Sequence, residues 1–180
     1  MKNSNLILTF LLLIFSYIAE AQLEKGSTMI GGTAEISLDF GDQGDRTFII
    51  FFNPNSAVFV MDNFAVGGGL GLGYYKNGDY TSTSLSIFPL ARYYFYSKSK
   101  ETAFFVDGRI GYSITNFGFD NDKLTSSSIM YSFGPGVSFF LNDNVSVDGH
   151  LVYNHTGGDI VRSYIGLNIG LQVFLFKNVD

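Results

Sequence analysis

The feature of this sequence that most constrains its fold is a two-residue alternation of apolar with polar or small side chains, which recurs along the chain after residue 26. Successive side chains of a β-strand point to opposite faces, so this alternation is typical of strands that have one apolar face. It occurs in eight segments, which cover 27–40, 46–60, 64–75, 81–96, 102–114, 127–141, 145–155 and 161–176. The sequence therefore predicts an all-β fold of eight strands.

The two faces of each segment differ in polarity, and this difference indicates whether the strands contact water or lipid. One face is apolar; the other is polar or, between Gly67 and Gly73, made of glycine at every second position. Several segments exceed the five or six residues usual for a soluble strand and match the ~9 to 11 residues with which a tilted strand crosses a bilayer. Lipid offers no partner for backbone amides, so a sheet there must close on itself. We expect an eight-stranded antiparallel up-and-down transmembrane β-barrel, apolar outside, with a lumen packed by side chains.

The connections between the segments are of two kinds. Compact turns are predicted at 61–63, 97–101 and 142–144, and longer loops at 41–45, 76–80, 115–126 and 156–160. In outer-membrane barrels the short turns face the periplasm and the longer loops face outward. Pro54, Pro89 and Pro135 fall inside strands, where proline removes a ladder hydrogen bond, so bulges or local breaks are expected there.

Aromatic residues cluster near the short turns, where a girdle at the membrane interface is expected. Phe174 and Phe176 stand on the inward parity instead, and are predicted to plug the lower lumen. The whole set comprises Phe59, Phe64, Tyr93, Tyr94, Phe95, Tyr96, Phe104, Phe105, Phe139, Phe140, Phe174 and Phe176.

The N-terminus is typical of an export signal. Lys2 is followed by an apolar run from Leu6 to Ile18, and Ala19-Glu20-Ala21 supplies the small-x-small site of a signal peptidase. We therefore predict a signal peptide over 1–21 and a barrel domain over 22–180. The run is too short for a membrane-spanning anchor, and the chain has no cysteine for disulfides or for a lipoprotein anchor.

Charged residues on the inward parity are predicted to form a structural network of ion pairs in the lumen, because charges cannot stay unpaired in a buried space. Pairing Tyr96 with Ala103 would place Arg92 directly opposite Asp107. The network is expected to close the interior to solutes. Its predicted members are Glu35, Asp39, Arg92, Asp107, Arg109, Asp148, His150 and Arg162.

The last segment carries the most specific pattern. It reads Asn168-Ile169-Gly170-Leu171-Gln172-Val173-Phe174-Leu175-Phe176, with a polar residue, a glycine two positions on and an apolar run closing on phenylalanine. In this pattern and in its strand layout the chain resembles the small outer-membrane β-barrel family that includes the transmembrane domain of outer membrane protein A and the opacity-type adhesins. The family often ends on that phenylalanine, whereas four residues follow it here. The resemblance implies an outer-membrane location in a Gram-negative envelope, membrane lipid as a partner, and recognition of the last strand by the barrel-assembly machinery.

No motif in the sequence indicates catalysis, a cofactor or a metal. The glycines at 67–73 lack the spacing of a phosphate-binding loop, and the net charge of −5 argues against a nucleic-acid partner. Some barrels of this size are lipid A deacylases with a histidine and a serine near the outer rim, but His155 has no serine two residues on. We therefore expect a structural or surface-interaction protein rather than an enzyme, with a lipid-modifying enzyme or a soluble lipocalin-like carrier as alternatives.

Overall fold

The structure is a computed structural model that describes residues 23–40, 46–78, 80–95, 101–119, 122–158 and 161–175. Each strand pairs antiparallel with its neighbour in the chain, and the last pairs with the first, so the sheet is a closed barrel. The predicted fold is confirmed. The described residues contain no helix long and apolar enough to cross a membrane. The strands are β1 (Thr28–Phe40), β2 (Arg46–Met61), β3 (Phe64–Asn77), β4 (Tyr80–Phe95), β5 (Thr102–Phe119), β6 (Asp122–Asn142), β7 (Val145–Gly158) and β8 (Arg162–Leu175).

The two ends of the barrel are named here after the connections that each of them holds. The end that holds the β2–β3 and β6–β7 turns, here called the turn end, has tight connections with a register shift beside each turn, between Phe59 and Met61 and between Phe140 and Asn142. Asn63 takes up a left-handed backbone conformation (φ 64°) in the first of these turns, which asparagine tolerates better than most residues. The opposite end is called the loop end.

Residues 23–27 fold across the turn end. The amide of Gly26 donates to the Phe59 carbonyl at 2.8 Å, and the amide of Asn63 donates to the Leu23 carbonyl at 2.8 Å. The Leu23 side chain is 3% exposed, so this segment covers the lumen from below. The predicted signal peptide lies outside the described residues, and its cleavage stays a prediction.

The longest strands correct the predicted loop over 115–126. β5 continues to Phe119 and β6 begins at Asp122, with unbroken pairing from Thr115↔Ser126 to Phe119↔Asp122. The polar composition of this segment suggested a loop, but a hairpin that extends into water needs no apolar face. The predicted loops at 76–80 and 156–160 are likewise shorter, because β3 reaches Asn77, β4 starts at Tyr80 and β7 reaches Gly158. The predicted loop at 41–45 lies outside the described residues.

The three prolines produce local breaks but no register shift. Pro54 pairs with Gly32 of β1, yet the β2–β3 ladder passes from Phe52↔Leu72 to Asn55↔Gly69 without pairing the two residues between. The same gap occurs beside Pro89 in the β4–β5 ladder and beside Pro135 in the β6–β7 ladder. The expected local breaks are therefore present, whereas the bulges lie at the turns.

The outside of the barrel is apolar. Outward positions of β4, β5, β7 and β8 carry no Asp, Glu, Lys or Arg among the described residues. Large apolar side chains are left exposed there, among them Leu167 (71% exposed), Ile165 (70%) and Ile87 (62%). Of the clustered aromatics, those on the outward parity near the turn end include Phe104 and Phe139. A continuous apolar surface on this scale is far larger than a soluble monomer exposes.

Candidate functional site

The lumen near the turn end is filled by an apolar plug. Its members are the inward-pointing aromatic, aliphatic and methionine side chains of six strands together with the N-terminal leucine. Phe174 is fully buried in it, as the inward parity predicted, and packs against Phe140 with ring centroids 5.3 Å apart. Phe176 lies outside the described residues. The plug consists of Leu23, Met29, Ala57, Phe59, Ala65, Phe88, Leu90, Tyr94, Ala103, Phe105 and Phe174, with Phe140 packed against it.

A cluster of charged residues lies next to the plug, and Arg92 is at its centre. β4 and β5 pair Arg92 with Asp107 in the register that the sequence predicted. The Arg92 Nη2 donates to Asp107 Oδ2 at 2.8 Å, while its Nη1 donates to Asp148 Oδ2 across the lumen at 2.7 Å. The Arg92 guanidinium carbon also lies 3.9 Å from the centroid of the Phe105 ring, which places the cation over an aromatic face. All three charged residues of this arrangement are at most 2% exposed.

The second carboxylate is held by hydroxyl groups that sequence reasoning missed. Ser138 Oγ donates to Asp148 Oδ1 at 2.7 Å, and Ser146 Oγ donates to the same oxygen at 2.9 Å. Arg92 Nη1, which donates to the other oxygen of Asp148, also donates to the Tyr94 hydroxyl at 3.2 Å. Inward parity marked all three residues, and the β6–β7 register, which pairs Ser138 with Asp148 and places Ser146 two residues before it, is the signal that could have identified the two serines.

Arg109 and His150 complete the charge cluster, which is thus Arg92, Asp107, Arg109, Asp148 and His150. Arg109 Nη2 lies 3.4 Å from Asp107 Oδ2, the oxygen that Arg92 already holds at 2.8 Å. His150 is fully buried, and its Nε2 lies 3.2 Å from Asp107 Oδ1 and 3.2 Å from the Gly134 carbonyl. Gly134 precedes Pro135, so its carbonyl stands at one of the ladder breaks.

The other predicted members of the network lie elsewhere or are not described. Glu35 faces the lumen from β1 and is partly buried at the wall of the upper cavity. Asp39 and Arg162 belong to β1 and β8, but their side chains lie outside the described part of the structure. The described residues contain no group of three or more His, Cys, Asp or Glu side chains that could hold a metal ion.

The inward glycines accommodate aromatic rings from neighbouring strands. A Cβ at Gly136 would overlap the Phe105 ring, and one at Gly69 would come within 2.8 Å of the Phe88 ring. A Cβ at Gly73 would lie 2.6 Å from the Phe51 ring. Ring packing inside a narrow barrel therefore accounts for Gly69 and Gly73 of the β3 glycine run, in agreement with the predicted role of small inward residues.

Above the plug and the charge cluster, the lumen is a cavity of about 680 Å³, here called the vestibule. Its lining runs from Arg109 and Val152 at the floor to Asn77 and Tyr80 at the loop end of the strands. This corrects the expectation of a lumen packed throughout, since side chains fill the lower lumen but leave the upper lumen empty. Inward parity shows that a side chain points into the lumen but not whether it fills it. The inward residues of the upper lumen are mainly small: Gly71, Gly73, Ser82, Ser84, Ser86, Ser113, Thr115, Ser128 and Ser132.

A histidine–serine contact lies on the wall near the loop end. His155 of β7 pairs with Ser163 of β8, and its Nδ1 lies 2.8 Å from Ser163 Oγ. The imidazole also stacks on Tyr131 with ring centroids 4.8 Å apart. The sequence search for a serine two residues after His155 missed this partner because it comes from the next strand.

A closed eight-stranded barrel with an apolar outer wall and charged groups inside defines a small transmembrane β-barrel of the outer-membrane type. The sequence matches no family model and no curated protein. The fold is similar to that of the N-terminal β-barrel domain of Pseudomonas aeruginosa OprF, with a TM-score of 0.58 at 14% identity over 84% of this chain and 98% of that one. It is also similar to Neisserial surface protein A, with a TM-score of 0.53 at 19% identity over 82% of this chain and 94% of that one.

Proposed function

We propose that this protein is an integral barrel of the Gram-negative outer membrane, with a structural or surface-interaction role and no catalytic activity. The observation that carries this is the inverted distribution of side chains. Leu167 and Ile165 are 71% and 70% exposed on the outer wall, while Arg92 and Asp148 are buried in the lumen. In water this arrangement would expose the apolar wall, whereas in a bilayer the wall contacts lipid and the closed sheet pairs the backbone groups except at the gaps beside the three prolines.

The strand lengths support a surface role for the loop end. β5 and β6 have 18 and 21 residues, about twice the 9 to 11 that a bilayer requires. With the short turns in the periplasm, the outer part of this hairpin, 115–126, extends beyond the membrane on the outside. Leu124 pairs with the lumen-facing Phe117 on the inner face of this hairpin, is 71% exposed there and is available to a partner.

Two further partners belong to this proposal. Membrane lipid contacts the outer wall, and the barrel-assembly machinery recognises the last strand before the barrel closes. In support of the second, β8 keeps Ile169 and Leu171 on the outer face and Gln172 and Phe174 on the inner face. The pattern that resembles an assembly signal thus coincides with the strand that closes against β1.

The test is expression in a Gram-negative host, followed by membrane fractionation and gel migration with and without boiling. We expect the protein in the outer membrane, extracted by detergent alone, with folded and boiled forms that migrate differently. In a planar bilayer we expect no conductance steps, since the apolar plug closes the lumen. A protein that stays in the periplasm without detergent would contradict the proposal and favour the lipocalin-like carrier.

The His155–Ser163 contact supports a second candidate, an enzyme that hydrolyses an acyl chain of envelope lipid. Here Ser163 would be the nucleophile and His155 the base that takes its proton, the arrangement of activated serine hydrolases. Both residues lie on the lipid-facing side near the loop end, where a membrane lipid can reach them. Against it, the described residues give His155 no carboxylate partner that would orient the ring.

Mass spectrometry of lipid A separates the two candidates. If the protein is an enzyme, lipid A should lose an acyl chain on expression of the wild type and keep it on expression of Ser163→Ala. Expression of the control variant Thr83→Ala, on the outer face of β4, should still remove the chain. Unchanged lipid A with the wild type would eliminate the enzyme and leave the structural role.

A further inference from the structure

The floor of the vestibule has hydrogen-bonding groups that lack partners. Arg109 Nε and Asn168 Oδ1 are buried and have no hydrogen-bond partner among the described residues. Arg109 is 8% exposed, and its contact with Asp107 is 3.4 Å, longer than the 2.8 Å of Arg92 to the same oxygen. Buried polar groups in folded proteins are nearly always paired. One donor and one acceptor at the base of the cavity therefore lack a hydrogen-bond partner, which a bound molecule or an ordered water would supply.

The wall above that floor is rich in hydroxyl groups. Ser82, Ser84 and Ser86 follow one another at every second position of β4, and Ser113 and Thr115 continue the pattern on β5. A hydroxyl group both donates and accepts, so such a wall can bond to a ligand that carries either function. Glu35 of β1 is the described acidic side chain of the lining.

Aromatic rings stand at the mouth of the vestibule. Tyr80 and Phe117 are stacked with centroids 6.2 Å apart and an interplanar angle of 26°. Tyr75 meets the edge of Tyr80 with centroids 5.8 Å apart. All three belong to the lining, so one side of the entrance is aromatic.

We propose that the vestibule binds the terminal ring or rings of a neutral saccharide that enters from outside the cell. A sugar ring has an apolar face that stacks on aromatic side chains and a rim of hydroxyl groups that both donate and accept. It can accept from Arg109 and donate to Asn168, whereas an anionic sugar would also bring its negative charge toward the carboxylate of Glu35. The volume of about 680 Å³ lies within the ~300 to 1,000 Å³ range of small-molecule sites.

This inference rests on the proposed function, because the vestibule faces the outside only if the turn end is periplasmic. The experiment is saturation-transfer difference NMR on the full barrel in phospholipid nanodiscs. Methyl β-glucoside and maltose serve as neutral probes and gluconate as an anionic one. Heat-modifiable migration of the same sample verifies the inserted barrel, so failure of insertion and failure of binding are separate results.

We expect saturation of the sugar-ring protons of the neutral probes and little transfer to gluconate. Ser84→Phe fills the vestibule and should abolish the signal, while Thr83→Phe, one residue away on the outer face, should keep it. Tyr80→Ala should weaken the affinity about fivefold, the effect of losing one aromatic contact. An inserted barrel that gives no signal with either neutral probe overturns the inference, as does a signal that survives Ser84→Phe or a preference for gluconate.

Discussion

The lower and upper parts of the lumen are built from the same eight strands, yet one is filled and the other is empty. Near the turn end, Arg92, Phe105 and Phe174 are large and almost fully buried. Near the loop end, the corresponding inward positions of β3 and β4 are glycine and serine, and the vestibule results. The difference shows that the wall alone does not decide whether a barrel of this size is closed; the sizes of the inward side chains do. The lower lumen holds the barrel together, and the upper lumen is free to bind.

The strongest test of this comparison removes the central cation of the filled part. Arg92→Met should lower the free energy of unfolding by about 3 to 5 kcal/mol, because two buried carboxylates lose their partner. Urea titration of the protein in lipid vesicles measures the loss. A double-mutant cycle with Asp107→Asn should give a coupling of at least about 1 kcal/mol. Independent effects of the two substitutions would mean that the pair does not act as a unit.

The second test concerns the outer wall. Leu167→Arg should cost about 2 to 4 kcal/mol if this residue lies near the middle of the bilayer. Leu124→Arg, at an equally exposed position on the extended hairpin, should cost much less because water surrounds it, and Gly41→Arg in the predicted loop at 41–45 should be tolerated. Equal losses at Leu167 and Leu124, measured in the same urea titration, would mean that the hairpin does not extend beyond the membrane.

The third test compares two glycines. Gly136→Ala should lower stability by about 2 to 3 kcal/mol, since the new methyl group would overlap the buried Phe105 ring. Gly149→Ala is the matched control, because its Cβ would lie 3.8 Å from Val137 Cγ1, an ordinary contact. The control should be neutral or slightly stabilising. A tolerated Gly136→Ala would mean that the filled part is loosely packed.

The smallest effect separates two serines. Ser138→Ala removes a 2.7 Å hydrogen bond to Asp148 and should cost about 1.5 kcal/mol, at the low end for a bond to a charged group because Ser146 still donates to the same oxygen. Ser84→Ala in the vestibule should change stability by less than about 0.5 kcal/mol. If both serines respond alike to denaturant, the division of the lumen does not describe its energetics.

Strand number, strand order and the Arg92–Asp107 register could be predicted from the sequence, because alternation fixes the face of each residue and a turn fixes the pairing of its two strands. The contact of Arg92 with Asp148 could not. These residues belong to β4 and β7, which do not pair, and their approach depends on the diameter and stagger of the closed barrel. The vestibule was missed for another reason: alternation gives the direction of each inward side chain but not the volume that it fills, and small residues at the upper inward positions leave space between the opposite walls.

The extension of β5 and β6 was missed for a local reason. Residues such as Asn116, Thr125 and Ser126 indicate a loop when strands are recognised by one apolar face. Outside the membrane a strand does not need an apolar face, because both faces of a hairpin contact water. Thr125 Oγ1 and Asn116 Oδ1, which face each other across the two strands at 2.8 Å, show how polar side chains stabilise such a ladder.

The three proline gaps give the barrel an uneven mechanical stiffness around its circumference. They interrupt the β2–β3, β4–β5 and β6–β7 ladders, whereas the β1–β2, β3–β4, β5–β6 and β7–β8 ladders are continuous. The wall therefore consists of four hairpins with continuous ladders. Three of the four seams between them carry a gap, whereas the β8–β1 seam is unbroken from Thr28 to Ala34, so lateral pressure from the bilayer should bend the wall at the three gapped seams. Amide hydrogens next to Pro54, Pro89 and Pro135 should exchange with solvent deuterium sooner than those within the hairpins. Deformation of this kind changes the cross-section of the tube while its hairpins keep their register.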